Sequence, residues 1–223
     1  MKPPKPRLTE LQRDWVRQWW HALQPVAPGQ APPQGALAQL GRAARAQLRR
    51  CNGMQELLAQ PAALLLAQGL IQRNPKPEHA GGLPDEAITY ERMAWVAGVL
   101  ACVKTDLVDG KSLAWRVGHA SRSESAAMSE RRFKAMLRSA SLPDLCTHWR
   151  RAVQLADGQA DVARLADDLL GWQIGLAQSG GGQRARPSDG LHFHWAFDYY
   201  LSKKDQDIGT LEFPPGRASE SAA

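Results

Sequence analysis

Ser129-Glu130-Arg131-Arg132-Phe133-Lys134-Ala135-Met136-Leu137-Arg138-Ser139-Ala140 is the stretch that decides how the chain is read. Wound as an α-helix at about 100° per residue, it sorts its side chains onto two faces. Phe133, Met136 and Leu137 fall on one side, and Arg131, Lys134 and Arg138 fall on the other at i, i+3, i+7. Ser129 suits the N-cap, because its hydroxyl can accept an unpaired amide of the first turn. Such a helix docks by its apolar back and shows a row of cations, a track for a polyanion. Charged residues also simply solvate the outer faces of bundle helices, so the weight of the reading depends on repetition.

The pattern repeats. A second helix, read from Ala36 to Arg50, places Leu37, Leu40, Ala44 and Leu48 on its buried side. Arg42, Arg45 and Arg49 lie opposite, with Arg50 at the edge of the same surface, and Gly53 suits a left-handed cap after the helix. The 223-residue chain carries 28 Lys and Arg against 22 Asp and Glu, a formal net charge of +6. That balance favours a phosphate-bearing or acidic partner, and arginine, which far outnumbers lysine, is the better fork for phosphate oxygens. Three widely spaced cysteines, Cys51, Cys102 and Cys146, form no CxxC pair, so they support neither zinc nor a disulfide framework. Reduced thiols and a cytoplasmic location are expected. The Pro-rich basic start is not followed by an apolar signal region, and the longest apolar run, Ala62 to Ala67, is too short for a bilayer.

The remaining segments also read as helices. Thr9-Glu10-Leu11-Gln12 is a capping box, after which Leu11, Trp15, Trp19 and Leu23 recur as a core stripe beside Trp20. Pro25 to Gly35 is a loop. Pro61 opens a helix to Leu70, and Asn74 to Pro84 is a linker. An apolar helix from about Asp85 to Val103 is the expected centre of the first half. Asp109-Gly110 turns the chain, and Ser112 caps a short helix through Leu113 and Trp115. A helix from Ser141 buries Leu145, Trp149, Ala152, Val153 and Ala156, with Arg150 and Arg151 outside. After the Asp157-Gly158 turn, Asp161 caps a helix bearing Val162, Leu165, Leu169 and Trp172, with Asp167 and Asp168 outward. Gly180 to Gly182 break the chain before Arg184 and Arg186, and the last helix, Leu191 to Ser202, carries Trp195, Tyr199 and Tyr200. No segment alternates as a strand. The expected fold is all-α, large enough for one domain or two small ones, with residues 1–8 a flexible basic N-terminus and 205–223 a disordered tail.

No catalytic constellation assembles. His192 and His194 have Asp189 and Asp198 near, yet i and i+2 diverge by about 200° on a helix, which disfavours a metal site. No GxxxxGK[ST], HExxH or GxSxG pattern occurs, and no nucleophile stands with a base. No catalytic residue, metal or cofactor is therefore assigned. A small hydrolase built on His192 and His194 remains the enzymatic rival, separable by metal analysis and a nuclease assay.

Several stretches in order resemble the CasB family, the small subunit of the type I-E CRISPR surveillance complex Cascade. They are Gly41-Arg42-Ala43-Ala44-Arg45-Ala46-Gln47-Leu48-Arg49-Arg50, Ser129 to Phe133, Leu145 through Val153, Leu165-Ala166-Asp167-Asp168-Leu169-Leu170-Gly171-Trp172, and Trp195-Ala196-Phe197-Asp198-Tyr199-Tyr200. The resemblance spans about Trp15 to Leu201; the Pro25–Gly35 loop, the Asn74–Pro84 linker and the tail lie outside it. It implies a non-catalytic helical subunit of two small helical bundles, 9–110 and 111–204, packed into one elongated protein and present in two copies, with other Cascade subunits, the CRISPR guide RNA, and the target and displaced DNA strands as partners. Its implied basic surface is Arg42, Arg45, Arg49, Arg50, Arg131, Arg132, Lys134 and Arg138, the same rows read from periodicity. Arg122, Arg150, Arg151, Arg184 and Arg186 are further candidate contacts that match less directly. Charge reversal at Arg45 with Arg49, or at Arg131 with Arg138, is expected to weaken R-loop retention with the fold intact. The alternative is a protein–protein bridge whose arginines meet acidic patches on neighbouring subunits.

Overall fold

The computed structural model describes residues 6–26, 29, 31–75, 83–119, 126–178 and 190–201. Helix α1 (Glu10–Ala22) begins at the expected capping box: Thr9 accepts from Gln12 N, and the Gln12 side chain accepts from Thr9 N. Of the expected Leu11, Trp15, Trp19 and Leu23 stripe, Trp19 and Leu23 are fully buried and Trp15 is half-buried against the core, but Leu11 is not. Leu11 is 70% exposed, and Gln12 and Val16 are buried in its place beside Trp20. Gln12 stays satisfied in the core because its Nε2 donates to Leu70 O, leaving Leu11 to turn outward. Trp15, Trp19 and Trp20 donate to Leu66 O, Ala62 O and Val103 O, so these indoles are packing anchors.

The helix read as Ala36–Arg50 is broken. A 3-10 turn (Gly35–Gln39) is followed by extended Leu40 and Gly41, and α2 spans only Arg42–Arg50. Helices α3 (Met54–Leu58) and α4 (Pro61–Gln72, with proline in its first turn) lead to the central α5 (Tyr90–Leu100). A 3-10 turn, Asp85–Ala87, precedes α5, which is shorter than the Asp85–Val103 expected. Every residue from Met93 to Leu100 is buried, and α5 packs against α2, α3, α4, α8 (Leu142–Leu155) and α9 (Val162–Gln178). Helix α1 packs against α4 and α9.

The fold is all-α, with one addition that periodicity did not show. Thr105–Asp106 (β1) and Gln159–Ala160 (β2) pair in parallel. The residues are too few to alternate, and the bridge is fixed by the turn at Asp157 and Gly158, both at positive φ, whose Gly158 O accepts from Lys104 N. Helices α6 (Leu113–Gly118), α7 (Glu130–Leu137) and α10 (Leu191–Tyr200) complete the described chain, with α10 laid on α6. That approach needs a residue without a side chain: a Cβ on Gly118 would strike the backbone carbonyl of Tyr199. One continuous cluster of buried side chains runs from Leu8 to Tyr199.

Two aspartates expected on the outer face of α9 are inside it. Asp167 is 4% and Asp168 1% exposed. Asp167 Oδ1 accepts from Arg7 N and Leu8 N, pinning the end of the 1–8 segment expected to be flexible. Asp168 accepts from Arg164 Nε and Trp195 Nε1. Helix α9 is wrapped by α1, α5 and α10, so it has hardly any outer face on which to show an acid.

Burial pushes the Asp168 carboxyl from 3.8 up to about 7; Arg164 opposes this and neighbouring Asp167 adds to it. A carboxyl raised in the folded state holds its proton more tightly there than in the unfolded chain. Its stabilising contribution is therefore full below about pH 4 and is lost as pH rises to about 7. Urea midpoints followed across that window should decline in the native sequence relative to Asp168→Asn, which lacks the titration. Parallel curves for the two would reject this assignment.

Candidate nucleic-acid interface

Helix α2 stands on α4 and α5 through Leu48, its one buried side chain. Arg42, Arg49 and Arg50 are exposed, and none pairs with a carboxylate among the described residues. Arg45 departs from the outward row assigned to it. Its Nε donates to Ala101 O (3.0 Å), its Nη2 to Val103 O (2.7 Å) and its Nη1 to Gln24 Oε1 (2.8 Å). A long arginine stem can carry its head back over apolar surface, and here the carbonyls after α5 capture it, Val103 O being shared with the Trp20 indole. Arg45 belongs to the fold, and its reversal would strike stability along with charge.

Arg150 is the second inward arginine, although the α8 stripe placed it outside. Its Nη2 donates to Leu48 O (3.1 Å), its Nη1 to Cys51 O (2.7 Å) and its Nε to Gly98 O (3.2 Å). The end of α2 is thus capped from another helix. Gly53 is not left-handed; at φ −131° and ψ 161° it starts α3. A Cβ at Gly98 would lie 2.7 Å from Arg150 Nη2, so the glycine makes room for the guanidinium. Arg151, one residue on, is exposed.

Helix α7 packs on α8, buries Phe133 and Met136, and exposes Arg131, Arg132, Lys134 and Arg138, as the opening stretch requires. Ser129 has the extended backbone of an N-cap, but its hydroxyl accepts no amide. Lys134 is partly engaged: its Nζ lies 2.6 Å from Glu130 Oε1, which also accepts from Tyr200 Oη at 3.1 Å. The Lys134 and Tyr200 hydrogen bonds hold the Glu130 carboxyl below its usual range. Arg131, Arg132 and Arg138 have no carboxylate partner among the described residues. Arg131 and Arg132, with Ser129 and Ala135, line a cleft of about 500 Å³. Arg122, Arg184 and Arg186, with the Gly180–Gly182 break, Asp189 and the 205–223 tail, lie outside the described residues.

The nucleophilic and metal-binding alternatives do not come together among the described residues. Burial raises the thiol pKa of Cys51 and Cys102, and takes Cys146 to about 11, so all three remain protonated and poorly nucleophilic. His194 is buried and His192 exposed, and among the described residues no group of three His, Cys, Asp or Glu converges on one point. Among the described residues, no helix is long and apolar enough to cross a membrane.

The fold and these surfaces define a helical protein whose distinctive chemistry lies on its outside, as cationic helix faces. The chain belongs to the CRISPR-associated protein Cse2 (CRISPR_cse2) family, whose model matches residues 44–200. It is thus a member of a family of CRISPR Cascade subunits, with a non-catalytic part in that assembly. No match was found among curated proteins or among solved structures. The matched span contains α7 whole and most of α2, including Arg45, Arg49 and Arg50, and leaves Arg42 just outside.

Proposed function

We propose that this subunit uses its basic surface to stabilise the R-loop, holding the guide RNA–target DNA hybrid and the displaced strand during antiviral defence. Six exposed guanidinium groups without a carboxylate partner among the described residues carry this reading: Arg42, Arg49 and Arg50 on α2, and Arg131, Arg132 and Arg138 beside α7. Exposed Arg151 and the half-engaged Lys134 extend it. Exchanging DNA–DNA for RNA–DNA pairs is nearly balanced, so a few phosphate contacts are enough to tip the exchange. The guide supplies the sequence information, and the protein need read only the backbone. The proposed partners are other Cascade subunits, the CRISPR guide RNA, both DNA strands and a second copy of the chain joined head to tail.

Four to six contacts to a single strand would give a log–log salt slope of about −3 to −4. Reversing Arg49 with Arg50, or Arg131 with Arg138, should make the slope shallower by about 1.4 and shorten target-DNA retention on assembled complexes, with an unchanged thermal midpoint. Unchanged slope and retention in both double variants would reject the interface. Crosslinks from these positions to neighbouring subunits and never to DNA would instead favour the protein–protein bridge.

A further inference from the structure

Helix α10 is apolar nearly all the way round. Leu191, His194, Trp195 and Tyr199 are buried against α6 and α9, and its one carboxylate, Asp198, accepts from Ser112 Oγ. The opposite side, at i, i+4, i+7, is Phe193 (42% exposed), half-buried Phe197 and Tyr200 (40% exposed). A surface helix ordinarily turns charges outward on that side, whereas here three aromatic side chains lie in line, Phe193 and Tyr200 well exposed and only Tyr200 tied to α7. The row ends at the cations. Tyr199 stacks on Phe133 of α7 with centroids 4.0 Å apart and donates to Met128 O. Tyr200 packs edge-on to Phe133 and bonds Glu130, the residue before Arg131 and the partner of Lys134.

We infer that the Phe193–Phe197–Tyr200 row is a stacking platform for the unpaired bases of a single nucleic-acid strand, whose phosphates run along Arg131, Arg132 and Arg138. This rests on the R-loop reading and names the part of the strand that this region holds. Aromatic faces accept any base, which suits a subunit that need not read sequence, and an adjoining cationic row supplies the backbone contacts. The Phe193 and Phe197 centroids are 6.5 Å apart, nearly twice the about 3.4 Å rise of one strand in duplex DNA. The spacing therefore fits an extended strand with separated bases. An apolar protein segment would need no neighbouring row of unpaired guanidiniums, and this charge complementarity selects nucleic acid as the occupant.

The test uses the assembled complex on a target whose displaced strand carries a fluorescent adenine analogue, quenched when stacked. Phe193→Leu with Phe197→Leu keeps apolar bulk and removes both π faces. It should abolish the quenching and cut target retention about 30-fold while leaving the salt slope unchanged, because the phosphate contacts remain. Arg131→Glu with Arg138→Glu should change the slope. Retained quenching and retention in the leucine variant would overturn the platform, whether or not Phe193→Ala with Phe197→Ala falls out of the complex. Loss from the complex in the alanine variant alone would make the row a protein-docking face. If the leucine variant loses quenching but the arginine variant keeps its slope, the phosphate track fails separately from the platform.

Discussion

Trp195→Ala is expected to leave little folded protein. The indole is fully buried, edge-on to Trp172 with centroids 4.7 Å apart, and its Nε1 donates to buried Asp168 Oδ2 at 3.0 Å. Truncating a buried aromatic costs about 3–5 kcal/mol, and an orphaned acceptor in the core adds about 1–3 kcal/mol. Together these approach the whole stability of an ordinary domain, about 5–15 kcal/mol. Circular dichroism and urea unfolding should show a collapsed transition, and Trp195→Phe, which loses the donor but keeps a ring, should retain a cooperative one. The same core role holds for Trp149, also fully buried. A cooperative transition within about 1 kcal/mol of the native sequence in Trp195→Ala would show that the indole anchors nothing.

Arg150→Ala should cost about 3 kcal/mol in urea unfolding. One guanidinium serves three backbone carbonyls from two elements, Leu48 O and Cys51 O around the end of α2 and Gly98 O of α5. Removing it leaves these acceptors to find water at a half-buried seam, and bonds from a charged donor are worth about 1.5–3 kcal/mol each before such relief. Arg150→Lys should recover only part, because one ammonium cannot reproduce a planar fork aimed at three separated oxygens. Full recovery by lysine would mean that charge alone, and not the fork, matters at this seam. The same substitution frees the C-terminal end of α2, so Arg49 and Arg50 should lose their fixed spacing to the rest of the basic surface.

Much of the architecture was legible because periodicity is local. Phe133 and Met136 at helical spacing put one side of α7 inward and its cations outward, and the structure has them so. Thr9, Ser112 and Ser141 marked their helix starts and accept the expected amides. Leu40 and Gly41 were not legible as a break, since apolar spacing continues across them while the backbone is extended. Arg45 and Arg150 were misread for a different reason. Helical position fixes where a Cβ leaves the axis, but a stem with several rotatable bonds lets the charged head return to any carbonyl in reach.

The sequence by itself therefore determined the helices, most of their caps, the tryptophan anchors and the existence of two cationic rows. These depend on contacts within a few turns of chain. Tertiary structure decided which arginines remain for a partner, because carbonyls at Leu48, Cys51, Gly98, Ala101 and Val103 claim Arg45 and Arg150 only once distant helices meet. It likewise drew Asp167 and Asp168 inward, since α9 is enclosed by α1, α5 and α10, and brought the aromatic side of α10 beside α7. Burial is a property of neighbours, and the neighbours of a helix are set by packing across the whole chain.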